Sequence, residues 1–150
     1  MQHELHTEIA IEASPEVVWE VLIDLDGYRD WNPFIVEAAG TPVIGERLTN
    51  RLQPPGAKAM TFKPEVTEVA PHSVFEWLGR LVLPRIFDGR HRFELQSTAS
   101  GGTTVRHSEY FRGVLVRFVR SSLDTNTRAG FETMNEALKA RAEAFARSGS

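Results

Sequence analysis

Apolar residues follow two different spacings along the chain, and the change of spacing divides it into two parts. Near the start, the segment LHTEIAI alternates apolar and polar residues, which predicts a half-buried strand over residues 4–12. The segment SPEVVWEVLIDL follows, with Ser14 suited to an N-cap and Pro15 to the first helical position. These signals predict a helix directly after the first strand, and Gly27 ends it.

The middle of the chain carries six further segments with strand character. A short helix or turn precedes them at YRDWNPFI, because Pro33 restricts the backbone of Asn32. Stretches rich in glycine and proline separate the segments, and the short connections favour an antiparallel meander. The predicted strands cover residues 35–40, 46–53, 60–69, 73–82, 86–98 and 103–113.

The last third of the chain changes to a helical period. Beyond residue 115 apolar residues recur at spacings of three and four, which predicts a long amphipathic helix over 124–145 that ends near Phe145. The order of elements predicts one α+β domain over 1–150. Its curved seven-stranded antiparallel sheet wraps around the long C-terminal helix, and two short helices follow the first strand. The apolar stripe of the long helix consists of Phe131, Met134, Leu138, Ala142 and Phe145.

The composition excludes several classes of function. The 150 residues hold 17 basic and 20 acidic side chains and no run of like charge, so we expect no nucleic-acid partner. The chain contains no cysteine, which excludes disulfides, thiol nucleophiles and thiolate metal sites. No apolar run approaches the ~20 residues of a membrane span, and the first residues lack the plan of a signal peptide. We therefore expect a cytoplasmic protein without integral membrane association.

A histidine on the apolar face of a predicted strand raises the main question about function. In the segment FDGRHRFELQ, His91 shares its face with Phe93. Antiparallel pairing about the SGG turn places His91 opposite Glu109, with His107 two residues away from that glutamate. A register shifted by one residue would turn Arg106 into the interior, so the first register is favoured.

Two roles for the His91–Glu109 pair remain open from the sequence. In the first, the two polar groups satisfy each other inside an apolar interior, and this structural role is favoured because buried ion pairs are often structural. In the second, the carboxylate orients and charges a histidine that contacts a ligand or acts as a general acid and base. The carboxylate favours the protonated imidazole and desolvation opposes it, and the sequence does not decide between them.

The side chains expected to wall a space between the sheet and the long helix are mostly aromatic. Ordinary core packing is the alternative for most of them, because a curved sheet needs large side chains to fill its concave face. The candidate catalytic residues are His91 and Glu109. The candidate ligand-binding residues are Trp31, Phe34, Phe62, Phe75, Trp77, His91, Phe93, Glu109, Phe111, Phe131, Met134 and Asn135.

No motif supports a metal or a cofactor. The five histidines have no metal-ligand spacing, and the chain contains no G-x-S-x-G, P-loop or G-x-G-x-x-G sequence. We therefore expect a protein that uses neither a metal nor a cofactor.

The order of elements and three local segments resemble the helix-grip fold of the START/birch-allergen-like (SRPBCC) superfamily. IEASPEVVWEVLIDLDGYRDWNPFI is similar to the family's opening strand, capped helix and aromatic–x–x–Trp–Asn–Pro element. FDGRHRFELQ with GGTTVRHSEYFRGVL resembles the late hairpin of the bacterial polyketide cyclase/dehydrase-like branch, and FETMNEALKARAEA resembles its closing helix. The resemblance covers nearly the whole chain and implies that Trp31 and Phe34 lie near one end of a cavity.

Three classes of function are compatible with these residues and this resemblance. The first is binding of a small hydrophobic or amphipathic ligand, of lipid, polyketide or aromatic type, in a cavity between the sheet and the C-terminal helix. The second is an enzyme of the polyketide cyclase/dehydratase type, a lyase or isomerase in which the histidine–glutamate pair moves protons. The third is a protein-interaction or quinone-chaperone-like role, and for all three we expect a monomer or a homodimer. A cavity of roughly 300 Å³ or more that reaches His91 would favour the first two.

Overall fold

The computed structural model describes residues 2–80 and 86–148. This part of the chain forms antiparallel sheets and a long C-terminal helix, with short helices after the first strand, which confirms the predicted α+β helix-grip fold. In chain order the elements are β1 (Gln2–Ile11), α1 (Pro15–Ile23), a 3₁₀ turn (Leu25–Gly27), α2 (Tyr28–Trp31), β2 (Ile35–Ala39), β3 (Thr49–Leu52), β4 (Met60–Phe62), β5 (Glu65–Ala70), β6 (Val74–Arg80), β7 (Asp88–Ser97), β8 (Thr103–Arg112), α3 (Val116–Ser122), a π-helical turn (Leu123–Thr127) and α4 (Arg128–Ser148).

Hydrogen bonding divides the described strands into two sheets. Five strands follow the order β1-β8-β7-β6-β5, and three follow the order β2-β3-β4. We expected one sheet of seven strands, but the described chain has eight because the segment over 60–69 splits into β4 and β5. Pro64 lies at the split, and a proline has no N–H to donate to a strand ladder. The predicted strand residues 81–82 lie outside the described residues.

Local signals place the first helices where the sequence predicts them. The side-chain oxygen of Ser14 accepts a hydrogen bond from a backbone N–H in the first turn of α1 at 3.3 Å, and Pro15 begins the helix. The side-chain oxygen of Asn32 accepts hydrogen bonds from the backbone N–H groups of Phe34 and Ile35 at 3.0 and 2.8 Å. These two bonds turn the chain from α2 into β2 and hold Phe34 in the interior.

The predicted C-terminal helix is present, but it is not a continuous α-helix. The π-helical turn over Leu123–Thr127 separates α3 from α4, and α4 continues to Ser148, beyond the expected end near Phe145. The apolar stripe of α4 is buried from Phe131 to Ala142, whereas Phe145 is 44% exposed. No glycine or proline marks the π-helical turn, so residue spacing alone predicts an unbroken helix.

Strand β7 presents charged side chains on its outer face and buried ones on its inner face. On the outer face, Glu76 of β6 accepts hydrogen bonds from Arg90 at 2.7 Å and from Arg92 at 2.8 Å. Arg92 also donates to Glu68 and Glu94, at 2.8 Å each. The intervening residues of β7 are buried, which confirms the predicted alternation.

The packing of α4 predicts unequal effects of substitutions on its two faces. Phe131→Asp or Leu138→Asp should destabilise the protein by about 3 kcal/mol or more, because either change buries an unpaired carboxylate. Glu132→Ala, on the exposed face of the same helix, should change the stability by less than ~0.5 kcal/mol. Thermal and urea unfolding measure both effects, and similar losses from the two faces would contradict this orientation of α4.

Candidate functional site

The predicted register of the late hairpin is confirmed. His91 of β7 pairs with Glu109 of β8, and Phe93 pairs with His107. The His91 Nδ1 atom lies 3.2 Å from the Glu109 Oε1 atom, and His91 is 4% exposed. The sequence therefore predicted both the pairing and the inward direction of these side chains.

A chain of buried hydrogen bonds continues from this pair through the interior. His91 Nε2 lies 2.7 Å from His107 Nε2, and His107 Nδ1 lies 2.8 Å from Asn135 Oδ1. Asn135 Nδ2 donates to Thr7 Oγ1 at 2.9 Å, and the Thr7 hydroxyl donates to the backbone carbonyl of His107 at 2.7 Å. We call these five residues, Glu109, His91, His107, Asn135 and Thr7, the polar chain. It joins β7, β8, α4 and β1.

The sequence analysis missed the role of Thr7 in the polar chain. A signal was present, because Thr7 is the polar member of the β1 face that also carries Leu5, Ile9 and Ile11. The sequence analysis also placed His107 near the His91–Glu109 pair, but it did not predict the contact between the two histidine rings.

Aromatic rings cover both histidines of the polar chain. Trp77 stacks on His91 with a centroid distance of 4.7 Å and an interplanar angle of 14°. Phe131 stacks on His107 at 4.1 Å and 8°, and Phe93 stacks on the same ring at 4.3 Å and 26°. The rings therefore sit in an apolar environment, where a charged imidazole is poorly solvated.

Burial sets the protonation states along the polar chain. It lowers the pKa of His91 to about 3 and raises the pKa of Glu109 to about 8. Burial also lowers the pKa of His107 well below 6.5, the proximity of His91 lowers it further, and the hydrogen bond to Asn135 opposes both effects. Desolvation thus outweighs the attraction between His91 and Glu109, and all three groups are mainly neutral at pH 7.

A cavity of about 130 Å³ lies beside the Glu109 end of the polar chain. Its wall is mainly apolar, and no lysine or arginine of the described residues contributes to it. Polar side chains in the wall are Asn50, His91, Glu109 and Thr127. The other residues of the wall are Phe34, Leu52, Pro54, Met60, Phe62, Pro64, Trp77, Gly79, Phe87, Gly89, Phe111 and Leu123.

Six of the candidate residues predicted from the sequence lie in the wall of this cavity, and six do not. Those in the wall are Phe34, Phe62, Trp77, His91, Glu109 and Phe111. Of the others, Asn135 belongs to the polar chain and Trp31 packs edge-on against Tyr28 at 5.2 Å. The remaining four, Phe75, Phe93, Phe131 and Met134, are fully buried in the core.

Two residues that the sequence analysis did not single out shape the polar end of the cavity. Gly89 precedes His91 on the inner face of β7, and the Glu109 carboxylate occupies the place that a Cβ atom at position 89 would take. The sequence carried a signal for this space, because the inward positions 89, 91 and 93 of β7 begin with a glycine. Asn50 is 2% exposed, and its Oδ1 atom has no hydrogen-bond partner among the described residues.

The described residues contain no group of three or more histidine, aspartate and glutamate side chains arranged to hold a metal ion. None of the helices in residues 2–80 and 86–148 has the length and apolar character needed to cross a membrane.

The raised pKa of Glu109 predicts a pH dependence of stability. The folded protein keeps this carboxyl protonated up to about pH 8, whereas the unfolded chain ionises it near 4.5. The folded state then holds the extra proton, so the contribution of Glu109 to stability falls as the pH rises toward 8. The lowered pKa values of His91 and His107 make the stability rise with pH, but only below 6.5, the ordinary pKa of histidine. Glu109 therefore dominates the pH dependence between pH 6.5 and about 8.

In this window the free energy of unfolding of the wild-type protein should fall by about 1–2 kcal/mol. Glu109→Gln should remove most of the fall, because an amide does not ionise. Glu132→Gln is the matched control on the exposed face of α4 and should keep the wild-type profile. Denaturant unfolding at several pH values measures the profiles, and identical profiles for wild type and Glu109→Gln would contradict a buried neutral carboxyl.

Comparison with known proteins places the chain in a family. Residues 2–143 match the family model described as "Polyketide cyclase / dehydrase and lipid transport". No protein sequence with a curated description matches the chain.

Solved structures of low sequence identity share the fold. The Zhui aromatase/cyclase from Streptomyces sp. R1128 has a TM-score of 0.83 and 16% identity over 100% of this chain and 99% of that chain. Norcoclaurine synthase from Thalictrum flavum has a TM-score of 0.72 and 14% identity, over 95% of this chain and 94% of that chain. The di-domain aromatase/cyclase BexL has a TM-score of 0.69 and 16% identity, over 93% of this chain and 51% of that chain.

The structural likeness at these identities shows the fold, and the family match covers nearly the whole chain. The chain therefore belongs to the polyketide cyclase/dehydrase and lipid-transport family of the SRPBCC superfamily.

Proposed function

We propose that the protein binds a small, uncharged and largely apolar molecule in the cavity beside Glu109. The observation that carries this proposal is the composition of the wall. Five aromatic side chains surround a space that ends at a neutral carboxyl group and a neutral imidazole. Apolar pockets with a few converging polar groups are the usual form of small-molecule sites.

The charge of the wall argues for an uncharged ligand. A carboxylate or phosphate group would need a cation or several N–H donors to replace its water, and no lysine or arginine of the described residues lies in the wall. An ammonium group would need an anion, and the nearest carboxyl, Glu109, is held protonated at pH 7 by burial that raises its pKa to about 8.

The volume of the cavity argues for a ligand the size of one aromatic ring. The cavity reaches His91 and Glu109, but its volume of about 130 Å³ is below the roughly 300 Å³ set above as the size that favours ligand binding or catalysis. An apolar cavity of roughly 150 Å³ holds one benzene molecule. The proposed ligand is therefore a single-ring compound or the end of a longer molecule.

The polar chain favours a second candidate function, acid–base catalysis of the cyclase or dehydratase type. Glu109 lies in the cavity wall and contacts His91, which contacts His107, so three titratable groups are hydrogen bonded in series. A carboxyl group in contact with an imidazole at the wall of a cavity is a pair of groups that acid–base catalysis uses. Binding of the reactant in the same cavity is required, so this function adds to the first proposal.

Filling the cavity tests the binding proposal. Gly79 lies in the wall, and a Cβ atom there meets only ordinary contacts, the nearest at 3.8 Å from Pro64. Gly79→Leu should therefore fold and should weaken toluene binding at least 10-fold by occupying the space. Thr61→Leu, on the exposed side of β4, is the matched control and should bind toluene as the wild type does.

The methionine methyl groups supply the measurement for this test. Met60 lies in the wall of the cavity, and Met134 is buried outside it. In a ¹³C-methyl NMR titration with toluene, the Met60 signal should shift and the Met134 signal should shift much less. The binding proposal is wrong if toluene and other single-ring compounds move neither signal in the wild-type protein.

A further inference from the structure

With both histidines neutral, the direction of every hydrogen bond in the polar chain is fixed from one end. The backbone carbonyl of His107 can only accept, so the single proton of the Thr7 hydroxyl points to it. Asn135 must then donate to Thr7 through Nδ2, which leaves its Oδ1 atom as the acceptor facing His107. The proton of the His107 ring therefore sits on Nδ1.

The same logic passes through the second histidine to Glu109. With its proton on Nδ1, neutral His107 has a lone pair on Nε2, so His91 Nε2 must carry the proton in the 2.7 Å contact between the rings. His91 Nδ1 is then an acceptor, and only a protonated Glu109 can donate to it across 3.2 Å.

The charged arrangements of the polar chain are unfavourable. A charged His91 that donates to an ionised Glu109 and to His107 would satisfy every hydrogen bond, but burial opposes both charges, since it lowers the pKa of His91 to about 3 and raises the pKa of Glu109 to about 8. An ionised Glu109 beside a neutral His91 would accept a hydrogen bond from Nδ1, so His91 Nε2 would carry no proton and two lone pairs would face each other at 2.7 Å. Moving the Glu109 proton on to His107 would create a buried imidazolium separated from a buried carboxylate by the ring of His91. These arrangements place charges or unpaired groups in an aromatic environment that does not solvate them.

We infer that Thr7 and Asn135 are positioning residues that fix the tautomers of both histidines, so that Glu109 donates a hydrogen bond to His91 and presents its second oxygen to the cavity as a hydrogen-bond acceptor. This inference rests on the proposed binding function and adds the ligand class: an uncharged, ring-sized molecule that carries a hydroxyl or N–H donor.

The surroundings of Glu109 support this assignment. Its Oε1 atom contacts His91, and its Oε2 atom lies over Gly89, which is also in the cavity wall. Asn50, another polar residue of the wall, has an Oδ1 atom without a hydrogen-bond partner among the described residues.

NMR of the histidine rings tests the positioning part of the inference, first in the wild-type protein and then in two variants. In ¹⁵N-labelled wild-type protein at pH 6.5, the ring nitrogen shifts should show His107 protonated at Nδ1 and His91 protonated at Nε2. In Asn135→Leu the preference of His107 for Nδ1 should be lost, because its acceptor is removed. Glu136→Leu, one residue along α4 and exposed, should leave both tautomers unchanged. A charged His91, or a His91 protonated at Nδ1, in the wild-type protein would overturn the inference.

A pair of probe molecules tests the ligand class. Phenol and toluene have similar shape, and only phenol carries a donor, so the ratio of their dissociation constants isolates the hydrogen bond. In Glu109→Leu the affinity for phenol relative to toluene should be about 10-fold lower than in the wild-type protein, as expected for one lost hydrogen bond. Glu109→Gln should change it less than twofold, because an amide also donates to His91 and keeps an oxygen toward the cavity. Asn135 lies outside the wall, but Asn135→Leu should still lower the relative affinity for phenol toward the value of Glu109→Leu. The control Glu136→Leu should keep the wild-type ratio.

The outcomes separate the two proposals. If neither probe binds the wild-type protein, the binding function fails and the NMR experiment still decides the tautomers. If both probes bind and the ratio is the same in wild type and Glu109→Leu, the binding function stands and the inference about Glu109 is wrong.

Discussion

A buried polar group must find a hydrogen-bond partner, and this constraint organises the interior of the protein. Glu109, His91, His107, Asn135 and Thr7 satisfy one another inside a core of aromatic rings. Leaving any of their donors or acceptors unpaired would typically cost ~1–3 kcal/mol. The four elements that carry them, β1, β7, β8 and α4, are therefore fixed relative to one another by directional bonds as well as by apolar packing. Asn135 ties α4 to the sheet through its hydrogen bonds to His107 and Thr7.

The two faces of β7 show how one strand keeps similar chemical groups in opposite states. Arg90 and Arg92 face outward and pair with carboxylates on the partly exposed face of the sheet. His91, between them in sequence, faces inward and is neutral because burial lowers its pKa to about 3. The alternation of the strand thus separates a charged surface from an uncharged interior over a distance of one residue.

The fold and six of the sixteen residues in the cavity wall could be predicted from the sequence, because they depend on local period and on pairing about a tight turn. The alternation in β7 and β8 fixed the His91–Glu109 register, and the stripe of α4 fixed its buried face. Other features were missed. The split at Pro64 had a local signal, because a proline cannot donate to a strand ladder, whereas the π-helical turn at Leu123–Thr127 had none. The closure of the polar chain by Thr7 brings together segments far apart in sequence. The protonation states depend on desolvation in the finished core, so the sequence could not decide them.

The contact between Gly89 and the Glu109 carboxylate makes the two positions depend on each other. The carboxylate fills the volume that any larger residue at position 89 would need. The two positions therefore share one fixed volume, and an alanine at 89 is compatible with an aspartate or a smaller residue at 109 but not with a glutamate held against His91. The lack of a side chain at position 89 is thus what allows this chain to carry an acidic group at the cavity wall.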